Sequence, residues 1–293
     1  MRVTNQMIFN NASRAATAAR ERFQNATDVA STGQRVVHAE DDPAAAGLIV
    51  LERAQATRAD ALGKAMGAAI DELEAAGSAL GSVGDALVRA KELAVQMANA
   101  TYSATDRLNA AKEVDGLVNT VIGLLNTQVG ARYLFGGFKD GSPPFDSTGT
   151  YQGDDGVKKV EVAPGMTIDA SVRADVAING VGGGVDVLAT LNAFSAALKV
   201  NNVAGVQGSF VGLDASLSQV TLARSGTGVQ ASVLDVAIAA TKVRRDDSLK
   251  SLSTLQDADA VDAMTRLAQA QQALEATLTA AAKSFQISLL DKL

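Results

Sequence analysis

The chain of 293 residues has no cysteine, one histidine and no tryptophan. The lack of cysteine excludes disulfides, thiolate zinc sites and cysteine nucleophiles. The one histidine, His38, has no second histidine and no set of metal ligands around it in the sequence. The glycine-rich residues 180–184 do not have the spacing of a phosphate-binding loop. We therefore predict a protein that is not an enzyme and that holds no cofactor and no metal.

Basic residues are also in deficit, and long apolar runs are missing. The chain has 26 lysines and arginines against 32 aspartates and glutamates, a net charge of −6. A nucleic-acid or anionic-membrane partner would need a basic face. No apolar run approaches the roughly 20 residues of a membrane-spanning helix. The N-terminal residues 1–13 are polar and lack the apolar core of a secretory signal. We expect neither nucleic acid nor membrane as a partner.

The strongest positive signal is a heptad pattern over residues 62–97, in an interval that contains no proline. Such a pattern predicts a long helix that packs along one seam. Asp42 and Pro43 suit its cap and first residue. Ser103 and Asp106 match a capping box that begins a second long helix, packed antiparallel to the first. The predicted seam residues are Leu62, Met66, Leu73, Leu80, Val83 and Leu87.

Both ends of the chain carry weaker helical stripes that are rich in alanine. Helices of this kind bury little apolar area alone and usually need a partner helix. We expect that partner to be either the other terminal helix or a neighbouring subunit. The residues predicted to form this assembly interface are Met7, Ile8, Ala15, Phe23, Leu267, Leu274, Leu278, Phe285, Leu289 and Leu290.

The centre of the chain is rich in turns and strands. Apolar and polar residues alternate over 159–162 and again over 167–173, with Pro164 and Gly165 between them, which predicts two antiparallel strands. A short helix is expected over 187–200. A longer helical stretch is expected over 216–255, divided or loosened at residues 226–228. The predicted fold class is mainly α with a small β region.

Several motifs resemble the flagellin superfamily of bacterial axial proteins. Near the N-terminus they are Met-Arg-Val-Thr at 1–4, Met7, Ser-Thr-Gly-Gln-Arg-Val at 31–36 and Asp-Asp-Pro-Ala-Ala-Ala at 41–46. Farther along they are Arg-Tyr-Leu-Phe-Gly-Gly at 132–137, Tyr-Gln-Gly-Asp at 151–154 and Ser-Leu-Leu-Asp-Lys-Leu at 288–293. Lys292 stands where an aromatic residue is common. Pro43 and the Leu-Phe-Gly-Gly step make the chain more similar to the hook-associated protein 3 family, the hook–filament junction proteins, than to flagellins.

The resemblance implies a long antiparallel helical coiled-coil rod with a strand-bearing central insertion. Residues 1–40 and 256–293 would form paired terminal helices, 41–135 and 213–255 a helical rod domain, and 136–212 a β-rich and turn-rich outer region. It also implies a ring-like homo-oligomeric layer between hook-associated protein 1 and flagellin, and an export chaperone bound to the C-terminal segment. The implied location is extracellular, in the flagellum, after type III export without a cleavable signal peptide.

Two other functions stay open at the level of sequence. A flagellin filament subunit shares the superfamily pattern and would polymerise alone into long filaments. A cytoplasmic coiled-coil scaffold would also contain a seam such as that of residues 62–97.

Overall fold

The protein, described from a computed structural model, is mainly helical, which confirms the predicted fold class. The structure describes the backbone of residues 2–290 and the side chains of residue 7 and residues 9–283. The helices are α1 (Arg2–Thr32), α2 (Pro43–Met97), α3 (Ala104–Leu125), α4 (Ala174–Ala177), α5 (Val187–Lys199), α6 (Val203–Gln256) and α7 (Ala260–Leu290). The strands are β1 (Gln128–Val129), β2 (Arg132–Tyr133), β3 (Lys159–Ala163) and β4 (Met166–Asp169).

The chain forms two compact units. The terminal unit combines the residues up to Ala59 with those from Val243 onward, and the middle unit is Asp60–Lys242. The division with boundaries after 40, 135, 212 and 255 stays a prediction.

Helices α2 and α3 each begin at a polar cap. The N–H of Ala45 donates to Asp42 Oδ1 at 3.0 Å, and Pro43 is the first residue of α2. At α3 the N–H of Asp106 donates to Ser103 Oγ at 3.2 Å, while Asp106 Oδ2 accepts from the N–H of Ser103 at 2.9 Å. Because these groups satisfy N–H donors that have no partner within the helix, they fix where α2 and α3 begin. Both predicted helix starts are confirmed.

The core of the middle unit follows the heptad seam of α2. The seam packs with apolar residues from α3, α5 and the first half of α6, and α3 also packs on α5. Of the predicted seam residues, Leu62 is half-buried. The others are buried: Met66, Leu73, Leu80, Val83 and Leu87.

A two-stranded hairpin covers one end of this core. β3 and β4 pair antiparallel, with Val160 opposite Ile168. Their turn contains Gly165 at φ +77°, a left-handed conformation that glycine adopts at little cost. Val162 and Ala170 are buried against α2 and Leu234 of α6. The two predicted strands are confirmed, although the second ends at Asp169 instead of continuing through Arg173.

The sequence-based expectation for α6 is wrong in two respects. The helix begins at Val203, so the last part of the predicted turn-rich region is helical, and it runs without a break through residues 226–228. Glycine costs a helix interior about 1 kcal/mol. Thr227, between the two glycines, is buried, and a Cβ added at Gly77 of α2 would lie 2.9 Å from Thr227 Oγ1, so that the two helices approach closely at this point.

Candidate assembly surface

The two terminal helices pair with each other. α1 packs against α7, and the end of α1 lies beside the start of α7, where Gln34 and Asp257 form an antiparallel bridge. Among the described side chains of the two helices, the buried ones are Ala19, Ala263 and Ala281. The contact is therefore made mainly by small side chains, as the alanine-rich stripes predict.

The predicted interface residues fall into three groups. Phe23, Leu267 and Leu274 are half-buried in the terminal unit. Met7, Ala15 and Leu278 are exposed, Met7 by 59% and Leu278 by 49%. The side chains of the remaining four lie outside the described residues: Ile8, Phe285, Leu289 and Leu290.

Further exposed apolar residues add to this surface. Phe9 on α1 is exposed, and so are Val261 and Met264 on α7. Val261, Met264 and Ala268 follow the i, i+3, i+7 spacing that places residues on one helix face. None of these three exposed residues, Phe9, Val261 and Met264, is among the predicted interface residues. The terminal unit thus presents apolar side chains to solvent on both of its terminal helices.

The pairing of α1 and α7 buries little area for the amount of chain that it orders. Each helix has 31 residues, and ordering the backbone costs roughly 1–2 kcal/mol per residue. Burial of a methyl-sized group returns only about 0.8 kcal/mol. Backbone hydrogen bonds offset part of the difference.

The segment 33–36 joins the terminal helices to the end of α6. Gly33 ends α1 at φ +69°, and its carbonyl accepts from the N–H of Ala258 at 2.8 Å. The backbone N–H of Arg35 donates to the carbonyl of Gln256 at 2.7 Å. The side chain of Arg35 donates from Nη2 to the carbonyl of Leu255 at 2.9 Å. Val36 is buried. These contacts explain why glycine, arginine and valine stand together in this motif.

The two aspartates that follow hold the next turn. Asp41 Oδ2 accepts from the N–H groups of Val37 at 3.0 Å and His38 at 2.7 Å. These bonds favour the charged form and lower the pKa of Asp41. The N–H of Ala45, and then Arg35 at 3.2 Å, lower the pKa of Asp42 in the same way. His38 is exposed. Asp41 thus holds the turn at residues 37 and 38, and Asp42 caps the start of α2, which accounts for both aspartates.

The Leu-Phe-Gly-Gly and Tyr-Gln-Gly-Asp motifs meet in the middle unit. Asp154 Oδ1 accepts from the N–H groups of Phe138 at 2.8 Å and Gly156 at 2.9 Å. A Cβ on Gly137, at φ +69°, would collide with that carboxylate. The Tyr151 hydroxyl donates to the carbonyl of Asp154 at 2.8 Å, and burial raises the pKa of Tyr151 to about 12. These contacts hold the two motifs together.

Two searches of the described residues bear on other functions. Within side chains 7 and 9–283, no group of three or more histidine, cysteine, aspartate or glutamate residues is placed to hold a metal ion. Among the helices between residues 2 and 290, none combines the length and the apolarity that crossing a membrane requires.

Comparison with known proteins identifies similar chains. Residues 3–140 match the family model of the bacterial flagellin N-terminal helical region. The chain is 30% identical to flagellar hook-associated protein 3 of Salmonella typhimurium, over 94% of this chain and 95% of that protein. It is 31% identical to the flagellar filament 41 kDa core protein of Borreliella burgdorferi, over 39% of this chain and 36% of that protein.

A solved structure supports the fold. A Vibrio parahaemolyticus protein assigned as a flagellar hook-associated protein superposes with a TM-score of 0.68 at 21% identity. The match covers 74% of this chain and 100% of that one.

Proposed function

This chain belongs to the family of flagellar hook-associated protein 3, the hook–filament junction proteins of the bacterial flagellum, and we propose that its copies form a ring-like adaptor layer. The layer would lie between hook-associated protein 1 on one side and flagellin on the other. The similarity over nearly the whole length of the Salmonella protein carries this proposal. The similarity to a filament protein covers less than half of the chain, and therefore supports the filament-subunit alternative less.

The terminal helices would supply the contacts within the layer. Their pairing buries mainly alanines, while Met7, Phe9 and Met264 remain exposed. A helix that buries little apolar area alone is stabilised by its neighbours once it is assembled. We propose that α1 and α7 become fully ordered only against copies of themselves and adjacent flagellar proteins, so that premature polymerisation is disfavoured.

Export would precede assembly. The chain would leave the cell unfolded through the flagellar type III channel, without a cleavable signal. The exposed apolar residues of α7, such as Val261, Met264 and Leu278, are the kind of surface that an export chaperone would cover beforehand. An absence of cysteine suits a chain that works outside the cell without disulfides.

Hydrogen exchange on the isolated monomer tests the coupling of order to assembly. We expect amides in residues 9–30 and 265–283 to exchange at least about tenfold faster than those at the buried positions of α2. The physical reason is that few buried contacts oppose opening of the terminal pair. Comparison of the monomer with assembled flagella, by mass spectrometry, provides the measurement. Equal and strong protection in a confirmed monomer would contradict the proposal.

Deletion of the encoding gene in the producing organism tests the adaptor function. Without the layer, cells should carry intact hooks and release flagellin into the medium, and the full chain supplied from a plasmid should restore filaments. Electron microscopy and immunoblotting of the medium are the measurements. Normal filaments in the deletion strain would contradict the function. Purified chain that polymerises alone into long filaments would favour the filament subunit instead.

A further inference from the structure

An asparagine precedes a glycine at one place in the chain, Asn179 and Gly180, in the turn that follows α4. The backbone nitrogen of a residue can attack Cγ of an asparagine before it, and a side chain on the attacking residue hinders the approach. Glycine hinders it least, because it has no Cβ and the widest range of backbone conformations. The fold requires glycine here: Gly180 adopts φ +71°, and an added Cβ would lie 2.6 Å from the carbonyl carbon of Gly184. The reactive pair is thus built into this turn.

The carboxamide of Asn179 differs from those of other asparagines at helix ends and turns of the middle unit. Its Oδ1 is buried and has no hydrogen-bond partner among the described residues. The corresponding oxygen accepts a hydrogen bond in each of four others, which are Asn99, Asn126, Asn201 and Asn202. Rotation of the Asn179 carboxamide toward the following backbone nitrogen therefore breaks no hydrogen bond at its oxygen, whereas the same rotation in the others would.

The attacking group is not engaged either. In the part of the chain that the structure describes, no group accepts a hydrogen bond from the backbone N–H of Gly180. The chain around it is held, since the N–H of Val181 donates to the carbonyl of Asp175 at 3.0 Å. The N–H of Gly184 donates to the carbonyl of Gly180 at 2.9 Å. An ordered turn thus presents an unbonded nitrogen next to an unbonded carboxamide oxygen.

We propose that Asn179 is a site of spontaneous chemical modification, at which the chain loses ammonia and gains a carboxylate. The backbone nitrogen of Gly180 gives up its proton to water or hydroxide and bonds to Cγ of Asn179. The Cγ–Nδ2 bond then breaks, and Nδ2 takes up a proton and leaves as ammonia, which yields a cyclic imide. Water adds to one of the two ring carbonyls. Opening at Cγ gives aspartate, and opening at the backbone carbonyl gives isoaspartate, in which the main chain runs through Cβ and Cγ.

The isoaspartate product disturbs a segment that is fixed at both ends. It adds an extra carbon atom to the backbone of the segment 178–187. The carbonyl of Ile178 accepts from the N–H of Val187 at 2.8 Å, which closes the segment into a loop. Gln219 of α6 holds this loop, because its Oε1 accepts from the N–H of Val185 at 2.9 Å and its Nε2 donates to the carbonyl of the same residue at 3.0 Å. A longer backbone between these fixed points loosens the loop.

The aspartate product has a different cost. It places a charged oxygen where the uncharged Oδ1 of Asn179 is already buried without a partner. A buried charge without a partner is more costly than a buried neutral group, so that the new side chain turns toward solvent. Both products therefore change the turn after α4.

Timed incubation of the folded full chain in mildly alkaline buffer, which favours loss of the amide proton, tests the site. Aliquots are digested at acidic pH and the peptides are measured by mass spectrometry, with a fresh sample as the baseline. We expect conversion at Asn179 to be at least about tenfold faster than at Asn126, whose oxygen is hydrogen-bonded and whose next residue is threonine. Equal rates at the two residues would overturn the proposal. Conversion at Asn179 in the urea-unfolded chain but not in the folded chain would also overturn it, since the fold would then protect the site.

Asn179→Gln is the matched variant, because it keeps the carboxamide but has to close a larger ring. It should lose no ammonia at this position during the time in which the parent chain converts. Hydrogen exchange measures the consequence: amides of residues 178–187 in the aged parent, but not in the aged variant, should exchange at least about threefold faster than in the fresh sample. Unchanged exchange after conversion to isoaspartate would refute the loosening of the loop. These measurements use the purified monomer, so that their outcome is independent of the adaptor function.

Discussion

Replacement of Arg107 by methionine is expected to lower the free energy of unfolding of the middle unit by about 3 kcal/mol. The Arg107 side chain is buried in α3, and its guanidinium donates three hydrogen bonds. Nε donates to the carbonyl of Met97 at 3.0 Å, and Nη2 to that of Asn99 at 2.8 Å. Nη1 donates to Asn201 Oδ1 at 2.6 Å. Methionine keeps the apolar stem but leaves three acceptors without their donors.

The third of these bonds explains why the effect should be large. Asn201 adopts φ +56°, a conformation that costs a non-glycine residue free energy, in the turn between α5 and α6. Arg107 thus ties that turn to the one between α2 and α3. Urea unfolding followed by circular dichroism measures the loss. Arg132→Met, whose side chain is largely exposed, is the matched control and should change stability by less than about 0.5 kcal/mol. Equal effects of the two variants would refute the role of Arg107.

Leu80→Ala should also destabilise the middle unit by about 3 kcal/mol. Leu80 is fully buried in the α2 seam and packs in the core shared with α3, α5 and α6. Removal of a buried leucine side chain costs the transfer free energy of the lost atoms and that of the cavity, together about 2–5 kcal/mol. The same urea titration gives this loss of stability, provided that the slope of the unfolding free energy against urea concentration equals that of the parent chain.

Leu222→Ala is the control for this prediction, because it makes the same chemical change at a residue that is 75% exposed. Its effect on the monomer should be below about 0.5 kcal/mol. Leu80 belongs to the internal core, whereas Leu222 lies on an exposed face of α6. A loss at Leu222 as large as that at Leu80 would mean that Leu222 is covered within the monomer.

Local chemistry made several features of the fold predictable. The caps at Asp42 and Ser103 and the hairpin around Gly165 each depend on a few neighbouring residues, and each was found where the pattern predicts it. The seam of α2 was equally clear because its apolar positions recur over many turns of one helix. The motifs at 31–36, 41–46 and 132–137 led to the family, which the comparisons confirm.

Features that depend on distant parts of the chain could not be predicted in this way. Nothing local marks Arg107 as buried, since its partners lie in two separate turns. The glycines at 226 and 228 predict a weak point in α6, but the helix is continuous there. Thr227, between them, lies close to Gly77 of α2, a residue that is distant in sequence. The exposed residues Phe9 and Val261 are likewise absent from the predicted interface.

The sequence by itself determined which residues are apolar, at what spacing, and where most helices begin, because these follow from side-chain chemistry within a few residues. The tertiary structure alone decided which face of α6 is used inside the molecule. Val220 and Leu234 are buried, whereas Val229 and Val236 are exposed. All four are aliphatic residues on the same helix. A heptad pattern states only that a face can pack against a helix. Whether that helix comes from the same chain depends on the segments that folding brings beside it.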